Sequence, residues 1–286
     1  IIARDIYGQD KIVRAIAYLT MGYSLGPIFT PPIGGFLVET SGWRSVLILA
    51  LAAGIFIVVL VYFLIDETQP ENNLNNNQNN CHRSLFSDYY LLFRDIKFTS
   101  LTFQIGLSTG AFFALATGAA FIMIEHLGRP ASEYGLYFTL LPCGYLLGNF
   151  VSGRLGSQIS IETMVLISTG IMVVAICSFA VFTLWGNISP LVLFGFGSVL
   201  TFGQGMNTPF AQSGLLRVPS NLIGTAGGIG AFAQMFGAAV FSQLYGFAAD
   251  GTPSNLAIIV GAATFLAFVF ATINFCKRPF KLPQPT

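Results

Sequence analysis

The sequence predicts an all-α integral membrane protein with about eight transmembrane helices, and three observations predict it. First, 54% of the 286 residues are hydrophobic and only 9% are charged, whereas soluble domains carry about 25% charged residues. The mean hydropathy is +0.72. Second, apolar runs of spanning length recur, since a hydrocarbon core about 30 Å thick takes about 20 residues of helix. Third, the cations segregate when the runs are taken alternately across a bilayer.

The first span runs from Ala15 to Val38, between Arg14 and Glu39, and the second from Ser45 to Ile65, between Arg44 and Asp66. A polar break follows, residues 66–97, containing Asn75-Asn-Asn-Gln-Asn-Asn80. An Asn-rich run without apolar periodicity cannot bury a core, and it predicts a disordered linker. The third span is Phe98–Ile124 and the fourth Tyr134–Gly153. From Thr163 to Leu216 there is no charge, and Trp185-Gly-Asn-Ile-Ser-Pro190 divides that stretch into the fifth and sixth spans. The last two are Leu222–Ala249 and Ser254–Cys276.

This alternation places Arg4, Lys11, Arg14, Arg83, Arg94, Lys97, Arg154, Arg217, Lys277, Arg278 and Lys281 on one side, leaving only Arg44 and Arg129 of the 13 cations on the other. By the positive-inside rule the linker, the segment before Ala15 and the C-terminus are cytoplasmic. Omitting one span would scramble the two groups, so the asymmetry also supports the count.

The first span contains Gly22-Tyr-Ser-Leu-Gly26-Pro27-Ile-Phe-Thr-Pro31-Pro32-Ile-Gly34-Gly35. Each Gly costs about 1 kcal/mol against Ala in a helix interior, and each Pro roughly 3 in water. A membrane tolerates them where neighbouring protein re-satisfies the freed backbone groups. The expectation is a helix buried in a bundle, pressed against a neighbour, and bendable. Small residues also recur every fourth position at Gly106/Gly110/Ala114/Gly118, Gly144/Gly148/Ser152 and Gly224/Gly228, the pattern with which membrane helices approach closely. The seventh span, like the first, follows a charged turn and is rich in small residues, a faint internal repeat.

No candidate span carries Asp, Glu, Lys, Arg or His at its middle. Intramembrane ionisable groups are the usual proton relays and ion sites. The two histidines are His82 in the linker and His126 at a span end, where Glu125 also sits. No nucleophile–base pair or metal cluster follows, which disfavours a polytopic membrane enzyme. Cys81, Cys143, Cys177 and Cys276 have no paired or metal-type spacing and read as unpaired. The amides Gln104, Asn149, Gln204, Asn207 and Gln234 lie well inside their spans. They either bond neighbouring helices or line a central cavity. The 28 Phe and 10 Tyr suit a cavity for lipophilic or cationic compounds and suit lipid contact equally well.

Ala3-Arg4-Asp5, Arg14, Gly26-Pro27-x-x-x-Pro31-x-x-Gly34-Gly35, Gly42-Trp43-Arg44 and Asp66-Glu67-Thr68 together resemble the major facilitator superfamily, in order and spacing its Bcr/CflA drug-efflux subfamily. Gly22, Gly26, Pro27, Pro31, Gly34 and Gly35 match that family's helix 5 antiporter motif. Gly148-Asn-Phe-Val-Ser-Gly153-Arg154-Leu-Gly156 is similar to its helix 8–9 loop, with Gly153 where an acid is often found. Gly205-Met-Asn207-Thr-Pro209 and Gly224-Thr-Ala-Gly-Gly228 resemble helix 10 and helix 11 segments.

The resemblance implies a major facilitator-type bundle running from the end of helix 4 to helix 12. Residues 1–65 would be a remnant of the N-terminal half (helices 5 and 6), 66–97 the cytoplasmic linker, 98–276 the C-terminal six-helix half, and 277–286 a cytoplasmic tail. The opening on Ile1 rather than Met fits a chain whose start is absent. The implied activity is proton-coupled drug or metabolite efflux by alternating access in the plasma (bacterial inner) membrane, with no cofactor beyond the proton gradient. The coupling carboxylate would then lie in upstream helices. Implied partners are the lipid bilayer and a small lipophilic or cationic substrate, with no nucleic acid, and the complete protein would be a monomer. Arg4, Asp5, Arg14 and Arg154 would form a cytoplasmic latch between the halves, unless the arginines serve only as positive-inside anchors. A truncated, non-transporting remnant and a carrier of another small metabolite remain as alternatives.

Overall fold

The computed structural model describes residues 2–64, 85–156, 158–186, 188–219, 222–249 and 252–276, and among them the regular structure is entirely helical. In chain order these are α1 (Ile2–Ser41), α2 (Trp43–Leu64), α3 (Leu85–Arg94), α4 (Ile96–Phe121, extended by a π turn Ile122–His126), α5 (Ala131–Phe138), α6 (Leu140–Leu155), α7 (Ile161–Leu184), α8 (Pro190–Leu215), α9 (Ile223–Ala248) and α10 (Pro253–Cys276).

Helix starts are written locally. The Asp95 carboxylate accepts from the Lys97 N–H at 2.9 Å at the start of α4, and Ser160 Oγ accepts from Thr163 N–H at 3.2 Å at α7. Ser189 does the same for α8, whose first residue is Pro190. These side chains satisfy N–H groups that have no partner within the helix, and Pro at the first position gives up no bond. Gly42, at φ +77°, turns the chain from α1 into α2; a side chain there would be strained.

Three boundaries differ from expectation. α1 is one helix of 40 residues, about 60 Å long at 1.5 Å per residue and twice the hydrocarbon core; Arg14 lies inside it, not at its start. Residues 66–97 are not linker throughout: Leu85–Arg94 is a helix with apolar residues on one side, and Leu92 is buried. Residues 65–84, with the Asn-rich run, lie outside the described residues. The fourth span is two helices that meet at Thr139, because Pro142 has no N–H to bond the carbonyl four residues back; the chain tightens instead to Thr139 N–H → Leu136 O, 3.3 Å.

Among the described residues, five segments are both long and apolar enough to cross a membrane: α2, α4 with its π turn, α7, α9 and α10. Of the other three expected spans, α1 carries Pro27, Pro31 and Pro32 and α8 carries Pro209 inside the helix, and the fourth span is divided into helices of 8 and 16 residues. These three supply Pro27, Phe138, Pro142, Tyr145, Gln204 and Thr208 to the wall of the central cavity described below.

α4 sits at the centre of the C-terminal bundle, packed on α8, α9 and α10, while α8 packs on α6 and α7. α1 docks on α5, α6 and α8, and α2 packs on α1. Two apolar clusters fill the bundle. One holds Phe98, Leu101 and Ile105 of α4 with Phe210 and Leu215 of α8; the other holds Ala111 to Ala119 of α4 with Leu193 and Leu200 of α8. Between them on both helices lies a layer of buried polar residues.

A mid-height polar layer and cavity as the candidate functional site

That layer is built by helix periodicity. Gln104 and Ser108 are one turn apart on α4, as are Gln204 and Thr208 on α8, so each pair faces one direction. Gln104 Nε2 donates to Asn207 Oδ1 at 3.0 Å, and Asn207 Nδ2 donates to Ser108 Oγ at 3.1 Å. Gln204 Nε2 donates to Thr109 Oγ1 at 3.3 Å. In hydrocarbon surroundings such side-chain bonds substitute for water and fix the two helices in register.

Beside this network opens a cavity of about 330 Å³. α4 contributes Thr109, Phe112, Phe113 and Ala116, a helical i, i+3, i+4, i+7 face; α8 contributes Gln204 and Thr208. Phe138, Pro142 and Tyr145 close it from α5–α6, Gln234 and Met235 from α9, and Pro27 from α1. No carboxylate, amine, guanidinium or imidazole lines it among the described residues. Its polar character comes from amides and hydroxyls, set among aromatic rings, the composition of small-molecule sites.

Gln204 is 5% exposed, and among the described residues its Oε1 has no hydrogen-bond partner. A buried, unmatched carbonyl oxygen costs about 1–3 kcal/mol. Water or a ligand donor in the cavity would remove that penalty.

The five candidate amides therefore divide. Gln204 and Gln234 line the cavity. Gln104 and Asn207 are fully buried behind it and bond each other. Asn149 joins α6 to α1: its Oδ1 accepts from Thr20 Oγ1 at 2.5 Å and its Nδ2 donates to Tyr145 O at 3.0 Å. Thr109, Thr208, Phe112, Phe113, Phe138, Tyr145 and Met235 were not singled out by sequence; the spacing of Thr109–Ala116 was a readable signal.

Within the Gly/Pro motif, Pro27 reaches the cavity, and the Pro31 carbonyl touches α5 at Gly135, where an added Cβ would lie 3.0 Å from it. Gly22, Gly26 and Gly34 face open space: a Cβ on any of them would meet nothing within 4 Å. Among the described residues the expected close approach is not made at these three positions. Gly35 is half-buried. The Gly26 carbonyl accepts from Thr30 Oγ1 at 2.7 Å, a side-chain bond of the kind that compensates prolines in membrane helices.

Of the proposed latch, Arg154 is exposed, with its guanidinium 4.8 Å above the Phe150 ring; Arg4, Asp5 and Arg14 lie on α1, with side chains outside the described residues. Glu125 and His126 are exposed in the π turn. Cys143, Cys177 and Cys276 are free thiols, and Cys81 lies outside the described residues.

Comparison with known proteins gives this arrangement a context. The chain is 24% identical over 285 residues to the bicyclomycin resistance protein homolog of Haemophilus influenzae, covering 96% of this chain and 69% of that protein. It is 26% identical over 249 residues to the multidrug resistance protein D of Escherichia coli, covering 84% and 59%, and 25% identical over 250 residues to the enterobactin exporter EntS of Salmonella typhi, covering 84% and 56%. The chain thus spans between 56% and 69% of the length of these relatives. The sequence profile of the Major Facilitator Superfamily matches residues 1–242. The chain belongs to the Major Facilitator Superfamily of membrane transporters.

Proposed function

We propose that this chain is the substrate-binding C-terminal portion, with helices 5 and 6 of the N-terminal half, of a secondary transporter that exports small lipophilic compounds. The observation that carries the reading is the cavity of about 330 Å³ between two apolar clusters, walled by Phe112, Phe113 and Phe138 and bearing the unmatched Gln204 oxygen. Transporter sites lie near the bilayer midplane between packed helical units and are formed by interrupted helices. The proline-bearing α1, the broken α5–α6 and α8 fit that description.

The chemistry selects a substrate class. Aromatic faces accept apolar rings and organic cations, and Gln204 Oε1 accepts one N–H or O–H. The names of the relatives favour drug efflux, with export of another small metabolite as the second reading, favoured by the enterobactin exporter. Proton antiport would draw its titrating carboxylate from outside the described cavity wall. Alternating access in the bacterial inner membrane, a cytoplasmic C-terminus and a latch using Arg154 complete the proposal, with residues 1–65 belonging to the N-terminal half and the C-terminal half reaching residue 276.

The test is dye accumulation in cells expressing the protein that contains this chain, compared with Gln204→Leu. The expected result is lower accumulation of a lipophilic cationic dye, with about a tenfold loss of efflux in the variant, matching one lost hydrogen bond in a desolvated site. Equal accumulation with and without the protein, across drugs and metabolites alike, would end the transport reading.

A further inference from the structure

A second cavity, of about 220 Å³, lies between the last turn of α8 and the first half of α9. Its wall holds two amides, Gln212 on α8 and Gln234 on α9, and Gln234 also stands in the wall of the mid-height cavity. The two cavities therefore meet at one side chain. Helix periodicity builds the connection. Gln204, Thr208 and Gln212 recur every fourth residue on α8, and Gly227, Ala231 and Gln234 fall at i, i+4 and i+7 on α9, so each set lies along one helix face. Gln204 and Thr208 line the mid-height cavity. Gln212 lines the second one, about 12 Å beyond Gln204 at 1.5 Å per residue.

The amides of the two places are used differently. Gln104 and Asn207 are spent on each other and on Ser108. Gln234 Nε2 donates to Gly230 O of its own helix at 3.4 Å, longer than the usual limit of about 3.2 Å. The Gln212 side chain makes no hydrogen bond among the described residues. Both glutamines are half-buried, and a primary amide carries two N–H donors and a carbonyl acceptor. Each therefore has both functions to offer. Leu215, Leu216 and Ala231 add hydrocarbon, and among the described residues no charged group lines the chamber. A Cβ on Gly227 would lie 3.7 Å from Leu216 Cδ2, in ordinary contact, so a side chain there could enter the chamber.

We propose that this chamber is a second binding site for the exported compound, selective for an uncharged amide or lactam. The ligand N–H goes to the carbonyl of one glutamine and its C=O accepts from the N–H of the other. The ligand is uncharged because nothing in the wall compensates a charge. Rotation of Gln234, loosely held to its own helix, turns its amide from this chamber to the mid-height cavity. The ligand passes in that step from Gln212 and Gln234 to Gln234 and Gln204. The chamber lies towards the end of the bundle that the transport proposal makes cytoplasmic, the side from which an exported compound comes. That role rests on the transport proposal, whereas the binding does not.

The experiment is maleimide labelling of the full chain in detergent, its four cysteines replaced by Ser. Ala231→Cys places a thiol at the chamber and Met235→Cys one at the mid-height cavity. The probes are 1-naphthamide and methyl 1-naphthoate, one ring with and without an N–H. Half-protection of Ala231→Cys should take about tenfold less naphthamide than ester, the scale of two neutral hydrogen bonds. Gln212→Leu should abolish that preference at Ala231→Cys and leave the protection of Met235→Cys as it was. Gly227→Leu, which fills the chamber and leaves both amides in place, should remove protection of Ala231→Cys by either compound. Equal protection of Ala231→Cys by the two compounds, or protection confined to Met235→Cys, overturns the proposal. Amide-selective protection of Ala231→Cys in a protein without dye efflux would keep the binding site and end its role in transport.

Discussion

Two sets of small-residue stripes in this molecule share a sequence pattern and differ in what they do. Gly106, Gly110 and Gly118 of α4, Gly144 and Gly148 of α6, Gly205 of α8 and Gly237 of α9 are contact points, whereas the expected close approach is not made at Gly224 and Gly228 of α9, which have no neighbour among the described residues. A Cβ on Gly148 would strike the Phe202 carbonyl, one on Gly205 the Tyr145 carbonyl, and one on Gly237 the Gly106 carbonyl. On α1 the same spacing, Gly22, Gly26 and Gly34, faces open space. The first set closes backbones against each other, the principal means of helix association in lipid. The second leaves a proline-bearing helix with room beside it, and that helix borders the candidate substrate cavity through Pro27. Among the described residues the two sets thus differ in whether a neighbour fills the stripe, not in the sequence pattern.

The largest expected effect is at the closed stripes. Gly148→Leu or Gly205→Leu should abolish a folded, monodisperse protein on size exclusion, since overpacking costs typically about 1–3 kcal/mol and here the obstacle is backbone. Wild-type behaviour of either variant would break the distinction. Next comes the layer between the stripes: a double-mutant cycle of Gln104→Leu and Asn207→Leu should give a coupling near 0.6 kcal/mol and below about 1.7, read from unfolding in detergent. Zero coupling would mean that the buried amides do not hold α4 to α8. Asn149→Leu, which removes the bond from Thr20, should cost about as much, with the loss confined to the α1 docking; thermal unfolding of this variant compared with Thr20→Val checks it. The smallest and most discriminating effect belongs to α1. Gly34→Ala should leave stability unchanged or raise it by up to about 1 kcal/mol, because Ala is the better helix former and space is open. A fall in the unfolding temperature would place a neighbour against that face.

Much of this was readable along the chain because hydropathy and charge act locally. The bounds of α2, α7, α9 and α10 followed from apolar length, and Ser160, Ser189 and Pro190 mark helix starts by their own chemistry. Three features escaped for physical reasons. The helix Leu85–Arg94 adjoins an Asn-rich run, and its order comes from packing Leu92 onto the bundle, a tertiary effect. The break at Thr139 is set by Pro142 three residues later, within a stretch whose hydropathy is uninterrupted. The division of the five amides between cavity and helix contact depends on pairings such as Gln104 with Asn207, separated by 103 residues. Nothing in the local pattern distinguishes Gln204, which faces the cavity, from Asn207 three residues on, which does not.

The central claim is that substrate occupies the mid-height cavity, and site-directed labelling tests it directly. With Cys81, Cys143, Cys177 and Cys276 replaced by Ser, Met235→Cys puts a thiol at the cavity's open edge, where Met235 is 61% exposed, and Phe247→Cys puts one on a surface that does not line it. A bound lipophilic cation at saturating concentration should slow maleimide labelling of the Met235→Cys thiol by about tenfold, as expected when most of a small ligand's site is covered, and leave the Phe247→Cys thiol unchanged. Equal labelling of Met235→Cys with and without a compound that the protein demonstrably exports would contradict the account.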